Sequence, residues 1–214
     1  GKNHHGMGTI GRHIKRFELV RSNGERLVCS PTEQSELFAA TIGGLGLTGL
    51  ITWAELQLIP VKNGWIDEEA VPFTSLDEFF AINDDADKKF AYTVAWLDTT
   101  SKKYPDGRGV FLRGNHSEDS SLPPLSVQKS KVSIPMFAPA FLLNPLSMSA
   151  FNIGYYHLQA HTKGIHHKSF EPFFYPLDVI HDWNKLYGRN GFLQYQFVVP
   201  REAAKPVLRE LLKV

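Results

Sequence analysis

The chain has 214 residues, of which 43% are hydrophobic and 21% charged, and its formal net charge is +1. This length suits one large or two small globular domains. The near-neutral charge and the absence of a basic strip argue against a nucleic-acid partner, and no apolar run reaches transmembrane length. Cys29 is the single cysteine, which excludes an intrachain disulfide, and we expect it to pack as a small hydrophobe in a strand.

The first 60 residues predict a compact unit of strands and one helix. Apolar and polar residues alternate on both sides of an Asn-Gly pair, which is typical of a β-hairpin. An apolar spacing of helical period follows, and a strand pattern then ends at Pro60. The predicted elements are strands at 14–21, 25–30 and 50–59 and a helix at 31–41 with Thr32 as its N-cap.

The pattern restarts after a connector predicted at 61–72. Residues 115–149 lack a sustained period, which is typical of a lid, a binding loop or disorder, and we expect 115–150 to be the least ordered part of the fold. Residues 151–162 fit either a helix or a strand. The other predicted elements are helices at 75–83 (capped by Ser75), 178–187 and from 201 onward, strands at 90–97, 109–112 and 191–199, and an aromatic loop at 172–176.

Both ends of the chain look cut. It starts without Met inside a glycine-spaced segment, and it ends in a helical pattern without a capping residue. We therefore expect a fragment of a longer protein.

Residues 44–49 read G-x-G-x-x-G, the glycine pattern of dinucleotide-binding folds. In those folds the motif follows a strand and opens a helix, whereas here a predicted helix precedes it and a predicted strand follows it. A Rossmann-type site is therefore not predicted. The closely spaced Gly43, Gly44, Gly46 and Gly49 leave two explanations, either turn chemistry alone or a main chain that lies against a flat cofactor.

Four histidines cluster in the second half of the chain without a carboxylate among them. A zinc site of the H-E-x-x-H type needs a glutamate after its first histidine, and none is present. We therefore expect solvated loop histidines and no metal site. The histidines are His157, His161, His166 and His167.

Other chemical motifs are few. The sequence holds no G-x-S-x-G elbow, no phosphate-binding loop and no pair of catalytic carboxylates. Gln194 and Gln196 share one face of the strand predicted at 191–199, and this face either meets solvent or lines a polar pocket. Trp96 is expected in the core of another strand.

Four segments together resemble a known family. They are residues 1–5 (GKNHH), 36–49 (ELFAATIGGLGLTG), 175–178 with 183–184 (YPLD and WN) and 191–197 (GFLQYQF). These motifs are similar to those of the decaprenylphosphoryl-β-D-ribose oxidase-like FAD-linked oxidoreductases, which belong to the vanillyl-alcohol-oxidase-like superfamily of FAD-binding proteins. The glycine element is shared across that superfamily, whereas GKNHH and GFLQYQF are far more specific.

The resemblance implies an α+β fold and two partial domains. Residues 1–60 would be the C-terminal half of a FAD-binding domain, and residues 61–214 part of a substrate domain built from an antiparallel sheet with helices. The implied cofactor contacts are Gly44, Gly46, Gly49, Leu50 and Ile51. The implied substrate contacts are Lys2, Trp96, Phe174, Leu177, Gln194 and Gln196, and Phe174 stands where a mycobacterial member carries Tyr.

The resemblance also implies an activity. It is the FAD-dependent oxidation of a sugar hydroxyl, C2 of a polyprenyl-phosphate ribose, in bacterial cell-wall biosynthesis, with a short-chain reductase as the partner that completes the epimerisation. The family's phosphate-binding glycine loop would precede residue 1 and its active-site lysine would follow residue 214, so no catalytic residue is assigned. The chain alone is expected to be inactive and to bind FAD weakly or not at all.

Location and two alternatives stay open at this point. The resemblance is compatible with the cytoplasm or the periphery of the inner membrane, and a periplasmic location is not excluded. One alternative keeps the fold and the FAD but changes the substrate to a free sugar, an alditol or an aldonolactone. The other alternative is a binding module that has lost its flavin.

Overall fold

The computed structural model describes residues 3–125, 132–162, 164–189 and 191–213. The chain divides into two compact units, Gly1–Pro60 and Val61–Val214. It is a mixed α/β protein, and the main sheet of each unit is antiparallel.

The first unit is a three-stranded sheet in the order β2-β1-β3 with one helix packed on it. Its elements are a short 3-10 helix at Ile10–Arg12, β1 at Ile14–Val20, β2 at Arg26–Cys29, α1 at Ser35–Thr41 and β3 at Leu50–Leu56. The predicted hairpin is confirmed, and Gly24 takes the left-handed φ of +84° that its turn requires. Phe17, Leu19, Cys29 and Phe38 form the core, with the two phenyl rings stacked at 5.2 Å.

The predicted start of α1 is wrong. The helix begins at Ser35, after Gln34 with a left-handed φ of +49°, and no side chain caps it. The hydroxyl of Ser30 instead accepts hydrogen bonds from the main-chain N–H groups of Thr32 and Glu33. Local bonds of this kind compete with helix formation, so the loop extends past the predicted cap.

The second unit is a four-stranded antiparallel sheet in the order β5-β6-β4-β8, with a short parallel pair β7-β9 apart from it. One face of the sheet packs on α2 through a core of Phe73, Ala86 and Phe111. The elements are β4 Trp65–Phe73, α2 Leu76–Ala86, β5 Tyr92–Asp98, β6 Arg108–His116, β7 Val132–Ser133, α3 Pro145–Ala160, β8 Ile165–Ser169, α4 Phe170–Phe174, β9 Ile180–His181 and α5 Arg201–Leu211, with 3-10 helices at Ala140–Leu142 and Trp183–Tyr187.

The centre of the sheet requires glycine. A Cβ on Gly109 of β6 would lie 2.1 Å from the carbonyl oxygen of Trp96 and 2.4 Å from Cζ of Phe73. Both neighbours belong to the packed interior, so the strand accepts no side chain at this position. The same strand pairs with β4 along its whole length, from Ile66 opposite His116 to Phe73 opposite Gly109.

Three predictions for the second unit are wrong because strands or helices occupy expected loops. Strand β4 lies in the predicted connector. Its run of acidic residues is untypical of a buried strand, but Glu68 is buried because it pairs with Lys168. Strand β8 carries two of the expected loop histidines, and α4 replaces most of the aromatic loop.

The long structureless segment is also shorter than predicted. Strand β6 continues to His116, and α3 begins at Pro145, where the Asn144 side chain accepts from the N–H groups of Leu146 and Ser147. Residues 151–162 are therefore helical through Ala160. Residues 126–131, in the middle of the segment, lie outside the described residues, and the expectation of disorder at 115–150 stays a prediction.

Elsewhere in the second unit two predictions are confirmed and two are contradicted. The N-cap of α2 is Ser75 as predicted, and α5 follows Pro200 as predicted. The helix predicted at 178–187 is only a 3-10 turn ended by Gly188, with β9 before it. The predicted strand at 191–199 is wrong, because residues 191–200 have no regular secondary structure and no strand in the described part of the chain pairs with them.

Candidate functional site

The glycine loop between α1 and β3 is explained by its own backbone. Gly43 and Gly46 have left-handed φ angles of +76° and +77°. A Cβ on Gly44 would lie 2.2 Å from the carbonyl oxygen of Ala40, and one on Gly49 would lie 2.5 Å from that of Val20. Turn geometry requires glycine at Gly43 and Gly46, and the close approach of main-chain carbonyls requires it at Gly44 and Gly49.

Part of this loop lines an open cleft. Gly46, Gly49 and Leu50 line it together with residues 20–22 of the hairpin, and its volume is about 410 Å³. The guanidinium of Arg21 donates to the carbonyl oxygen of Thr48 at 2.9 Å, so a cation lies along the loop. The structure thus brings three of the five predicted cofactor residues to one cleft, and Gly44 and Ile51 lie outside its lining.

Strand β3 presents an exposed apolar surface next to the cleft. The first two residues of the strand, Leu50 and Ile51, are 68% and 46% exposed, and Trp53 is 41% exposed. Among the described residues β3 pairs with β1 alone, so its other edge carries no strand. An apolar surface of this kind is typical of a contact with another group.

Trp96 lies on β5, on the sheet face that α3 covers. Its ring packs at 4.8 Å on the ring of Tyr155 in α3, which in turn stacks with Phe151 at 6.1 Å. Burial, with a further contribution from the Glu68 carboxylate, raises the pKa of Tyr155. Trp96 is thus half-buried in an aromatic group at the sheet–helix contact, and not in the closed core that was expected.

Phe174 belongs to a second aromatic group. Its ring meets Tyr92 edge-on at 4.8 Å, and Tyr92 in turn lies 5.5 Å from the imidazole of His116. Burial lowers the pKa of His116 and raises the pKa of Tyr92, so both side chains are neutral around pH 7. Within the described residues the Nδ1 atom of His116 is buried without a hydrogen-bond partner.

The other predicted substrate residues lie elsewhere on the unit. Leu177 is half-exposed in the turn after α4, and Gln194 and Gln196 are exposed on the irregular segment before α5. Lys2 lies outside the described residues. The aromatic residues of the set fall into two groups, so the described contacts do not gather the six residues into one pocket, and their role stays a prediction.

A polar layer lies beneath α3 that the sequence did not predict. Arg108 of β6 donates to Asp98 of β5 at 3.0 Å, and both side chains are buried. Asn152 of α3, itself 8% exposed, donates to the same carboxylate at 3.0 Å. Desolvation raises the pKa of Asp98, but hydrogen bonds from Thr100 and Arg108 outweigh it, and the pKa is lowered.

This polar layer contains both positively and negatively charged side chains. The guanidinium of Arg108 lies 4.6 Å from the ring centroid of Tyr156, and Lys168 donates to Glu68 at 3.0 Å on the neighbouring strands. One signal was available in the sequence, because Asp98 and Arg108 pair directly in the β5–β6 hairpin. The predicted strand ends fell one residue short on each side.

The four histidines form two separate pairs, one at the C-terminal end of α3 with rings 6.1 Å apart and one on β8. His167 of β8 contacts Asp67 through Nδ1 at 2.8 Å, and His161, the C-cap residue of α3, contacts the carbonyl oxygen of His157 at 2.6 Å. Over the described ranges no group of three His, Cys, Asp or Glu side chains could hold a metal ion. The helices of the same ranges all lack the length or the apolar character needed to cross a bilayer.

The comparisons with known proteins agree with the sequence motifs. No protein-family model matches the chain. The chain is 35% identical over 96% of its length to decaprenylphosphoryl-β-D-ribose oxidase of Mycolicibacterium smegmatis, and this match covers 46% of that protein. It is 34% identical over 66% of its length to an uncharacterised protein in the mprA 5′ region of Streptomyces coelicolor, covering 40% of it.

A shorter stretch, 32% of the chain, is 30% identical to D-arabinono-1,4-lactone oxidase of Yarrowia lipolytica and covers 13% of that protein. The chain thus spans less than half the length of each of these three relatives. Mixed α/β structure, a glycine loop before an exposed strand and these similarities define a class of oxidoreductases. Within it, the chain belongs to the decaprenylphosphoryl-β-D-ribose oxidase-like family of FAD-linked oxidoreductases.

Proposed function

We propose that the chain is part of a FAD-dependent oxidoreductase that oxidises C2 of a polyprenyl-phosphate ribose. The observation that carries this proposal is the 35% identity to decaprenylphosphoryl-β-D-ribose oxidase across 96% of the chain. The similarity to the lactone oxidase covers 32% of the chain, which favours the lipid-linked sugar over an aldonolactone.

In this proposal residues 1–60 belong to a FAD-binding domain and residues 61–214 to a substrate-binding domain. The first unit supplies the glycine loop and the exposed strand β3. The second unit supplies a sheet whose α3 face carries aromatic and polar side chains. The rest of both domains would come from the parts of the relatives that this chain does not span.

The glycine loop fits one edge of a flat, anionic cofactor. A Cβ on Gly43 or Gly46 would meet no atom within 4 Å, so the loop backbone is open on that side. Leu50 and Ile51 offer exposed apolar surface, and Arg21 offers a positive charge. We propose that Gly44, Gly46, Gly49, Leu50 and Ile51 contact FAD, which when bound would supply the acceptor for the hydride from the sugar.

The substrate would be held by the second unit. Trp96 and Phe174 offer aromatic faces, and Leu177 offers exposed apolar surface. The amides of Gln194 and Gln196 can each donate to and accept from neighbouring sugar hydroxyls. Lys2 is the proposed cation at the flavin end of the substrate.

The proposed product is a keto sugar, which a reductase partner would convert to the epimeric alcohol. We propose a role in the synthesis of a cell-wall sugar, in the cytoplasm or at the periphery of the inner membrane, with the periplasm as the alternative location. The aldonolactone oxidase is the second candidate function, and the similarity to the Yarrowia enzyme is the observation that favours it.

The test uses the full-length protein purified with its bound flavin. We expect a yellow flavin spectrum, and anaerobic mixing with a polyprenylphosphoryl-β-D-ribose should bleach it. D-arabinono-1,4-lactone should leave the spectrum unchanged. Bleaching by the lactone alone would support the second candidate, and a colourless full-length protein would support the flavin-free binding module. The 214-residue chain alone should be colourless.

The substitution Gln196→Leu tests the substrate side of the proposal. An unpaired sugar hydroxyl should lower the transition-state stabilisation by about 1–3 kcal/mol, while flavin content and thermal stability stay unchanged. Gln57→Leu, at an exposed glutamine after β3, is the matched control and should oxidise at the wild-type rate. Wild-type kinetics of Gln196→Leu, or its unfolding, would contradict the pocket assignment.

A further inference from the structure

The turn at residues 44–47 has an unusual residue at its centre. The N–H group of Leu47 donates to the carbonyl oxygen of Gly44 at 3.0 Å, and the two central residues, Leu45 and Gly46, have φ angles of +55° and +77°. Two positive φ angles are typical of a type I′ turn, in which glycine, asparagine and aspartate are the usual residues. Leucine rarely adopts this backbone region. Because the Leu45 side chain is 91% exposed, its burial does not offset the strain.

The residue after this turn is held from two sides. The carbonyl oxygen of Thr48 accepts a hydrogen bond from the guanidinium of Arg21 at 2.9 Å, and the hydroxyl groups of Thr48 and Thr41 are hydrogen-bonded at 2.9 Å. Arg21 follows β1 in the hairpin, and Thr41 is the buried last residue of α1. Strained backbone persists only where its surroundings hold it, and it is common at ligand sites. Thr48 is thus bonded to two separate elements of the first unit, which fixes one end of the strained turn.

These bonds lie beside the segment proposed to contact FAD. Arg21 and Thr48 line the cleft of about 410 Å³ together with Gly49 and Leu50, and Arg21 is the one charged residue in the described lining. Strand β3 begins at Leu50, two residues after Thr48, so the position of Thr48 determines where the main chain of Gly49 and Leu50 lies. A loop that already has its bound conformation costs less free energy to order when its ligand binds.

We propose that Arg21 and Thr41 are positioning residues of the cofactor site. By holding Thr48, they keep the strained turn and the main chain after it in the conformation that receives FAD, before FAD is bound. Neither side chain has to contact the flavin, because each acts through its bond to Thr48. This inference rests on the proposed function only in its FAD-binding part, and it is independent of whether a sugar or a lactone is oxidised.

The test is a titration of the full-length protein, freed of its flavin, with FAD, in which flavin fluorescence gives the Kd. Arg21→Met should raise the Kd about tenfold, and Thr41→Val, which keeps the side-chain shape but removes the hydroxyl, about fivefold. Arg21→Lys should stay within about twofold of the wild type, because an ammonium group can still donate to the Thr48 carbonyl. Arg26→Met is the matched control and should keep the wild-type Kd, because this arginine lies in the same hairpin but pairs with Glu18.

Two further measurements separate a positioning role from a purely structural one. Asparagine adopts positive φ angles more readily than leucine, so Leu45→Asn reduces the strain in the turn. Added to Arg21→Met, it should lower the Kd again by about threefold. In the flavin-free protein, hydrogen exchange of the Leu47 N–H should be faster in Arg21→Met than in the wild type, while exchange in β1 stays unchanged.

Three outcomes would contradict the proposal. The first is a wild-type Kd for Arg21→Met. The second is faster exchange in β1 as well as in the turn, which would show that Arg21 stabilises the whole unit and not the turn. The third, a full-length wild type that binds no FAD, would refute the proposed function and this inference together. A yellow protein that neither substrate bleaches would refute the proposed oxidation alone, since the comparison of Kd values needs no substrate.

Discussion

Two sets of ion pairs in the second unit differ in burial. Beneath α3, Asp98 and Arg108 have side chains that are 1% and 8% exposed. Between α2 and α5, by contrast, Asp77 is paired with Lys205 and Arg209, and all three side chains are at least 40% exposed. Arg201 adds pairs to Asp84 and Asp87 in the same interface.

The difference in burial determines what each set of ion pairs contributes: the exposed pairs give weak attraction, and the buried pair favours one specific arrangement of the side chains. The charges at α5 stay hydrated, so each pair gains little free energy. Asp98 and Arg108 have lost their water and depend on each other, on Thr100 and on Asn152. A buried pair of this kind contributes little beyond an apolar pair, but it penalises any arrangement in which one charge lacks its partner. Four predictions test this comparison.

The largest effect is expected for Asp98→Leu. It leaves the Arg108 guanidinium buried and unpaired, and it should lower the free energy of unfolding by about 3–5 kcal/mol in urea titrations. The double variant Asp98→Leu/Arg108→Met should regain most of this loss, because Met can pack beside Tyr156 without a charge. A single variant as stable as the wild type would show that the pair is hydrated.

Asn152→Ala should have the next largest effect. It removes a donor from a buried carboxylate and should cost about 1–2 kcal/mol of unfolding free energy. Gln159→Ala, on the same helix, is the control and should change stability by less than about 0.5 kcal/mol. Equal losses in the two variants would mean that α3 contributes only its packing.

Acid should separate the wild type from Asp98→Asn. Because hydrogen bonds outweigh desolvation, the pKa of Asp98 in the folded chain lies below its ordinary value. Its stabilising contribution is therefore fully present above the unfolded pKa of about 3.9 and is lost as the pH falls through the lower folded pKa. Urea midpoints between pH 7 and 3 should fall less steeply for the variant. Parallel profiles would contradict this assignment.

The smallest effect is expected for Arg201→Gln. The loss should be at most about 1 kcal/mol at low salt, because the arginine is more than half exposed. At about 1 M salt the difference from the wild type should vanish, whereas that of Asp98→Leu should persist. A salt-independent loss at Arg201 would show that α5 docks by packing and not by charge.

Local signals predicted much of the fold. The Asn-Gly hairpin, the Ser75 cap of α2 and the helix after Pro200 depend on neighbouring residues, and all three are confirmed. Strand β4 was missed because its acidic Glu68 is buried against Lys168, a partner 100 positions away. Alternation at 191–199 gave the wrong result because it identifies two faces but not a neighbouring strand, without which no sheet forms.

The candidate site was less predictable for the same reason. The glycine motif marked the loop correctly, but only the backbone angles and the approach of Ala40 and Val20 show why glycine is needed there. The bond between Asn152 and Asp98 spans 54 positions and has no periodic signature. Motifs located the segments, whereas their contacts required the three-dimensional structure.

The open edge of β3 carries a risk for the isolated chain. The main-chain groups of Leu50–Leu56 that point away from β1 have no partner strand within the described ranges, and large apolar side chains lie beside them. Such an edge is a template on which another chain can add a strand. Unless a neighbour covers it during synthesis, the growing polypeptide would be most prone to aggregate through this segment. How early the β3 edge is covered thus affects the yield of folded protein as much as the stability of the native state does.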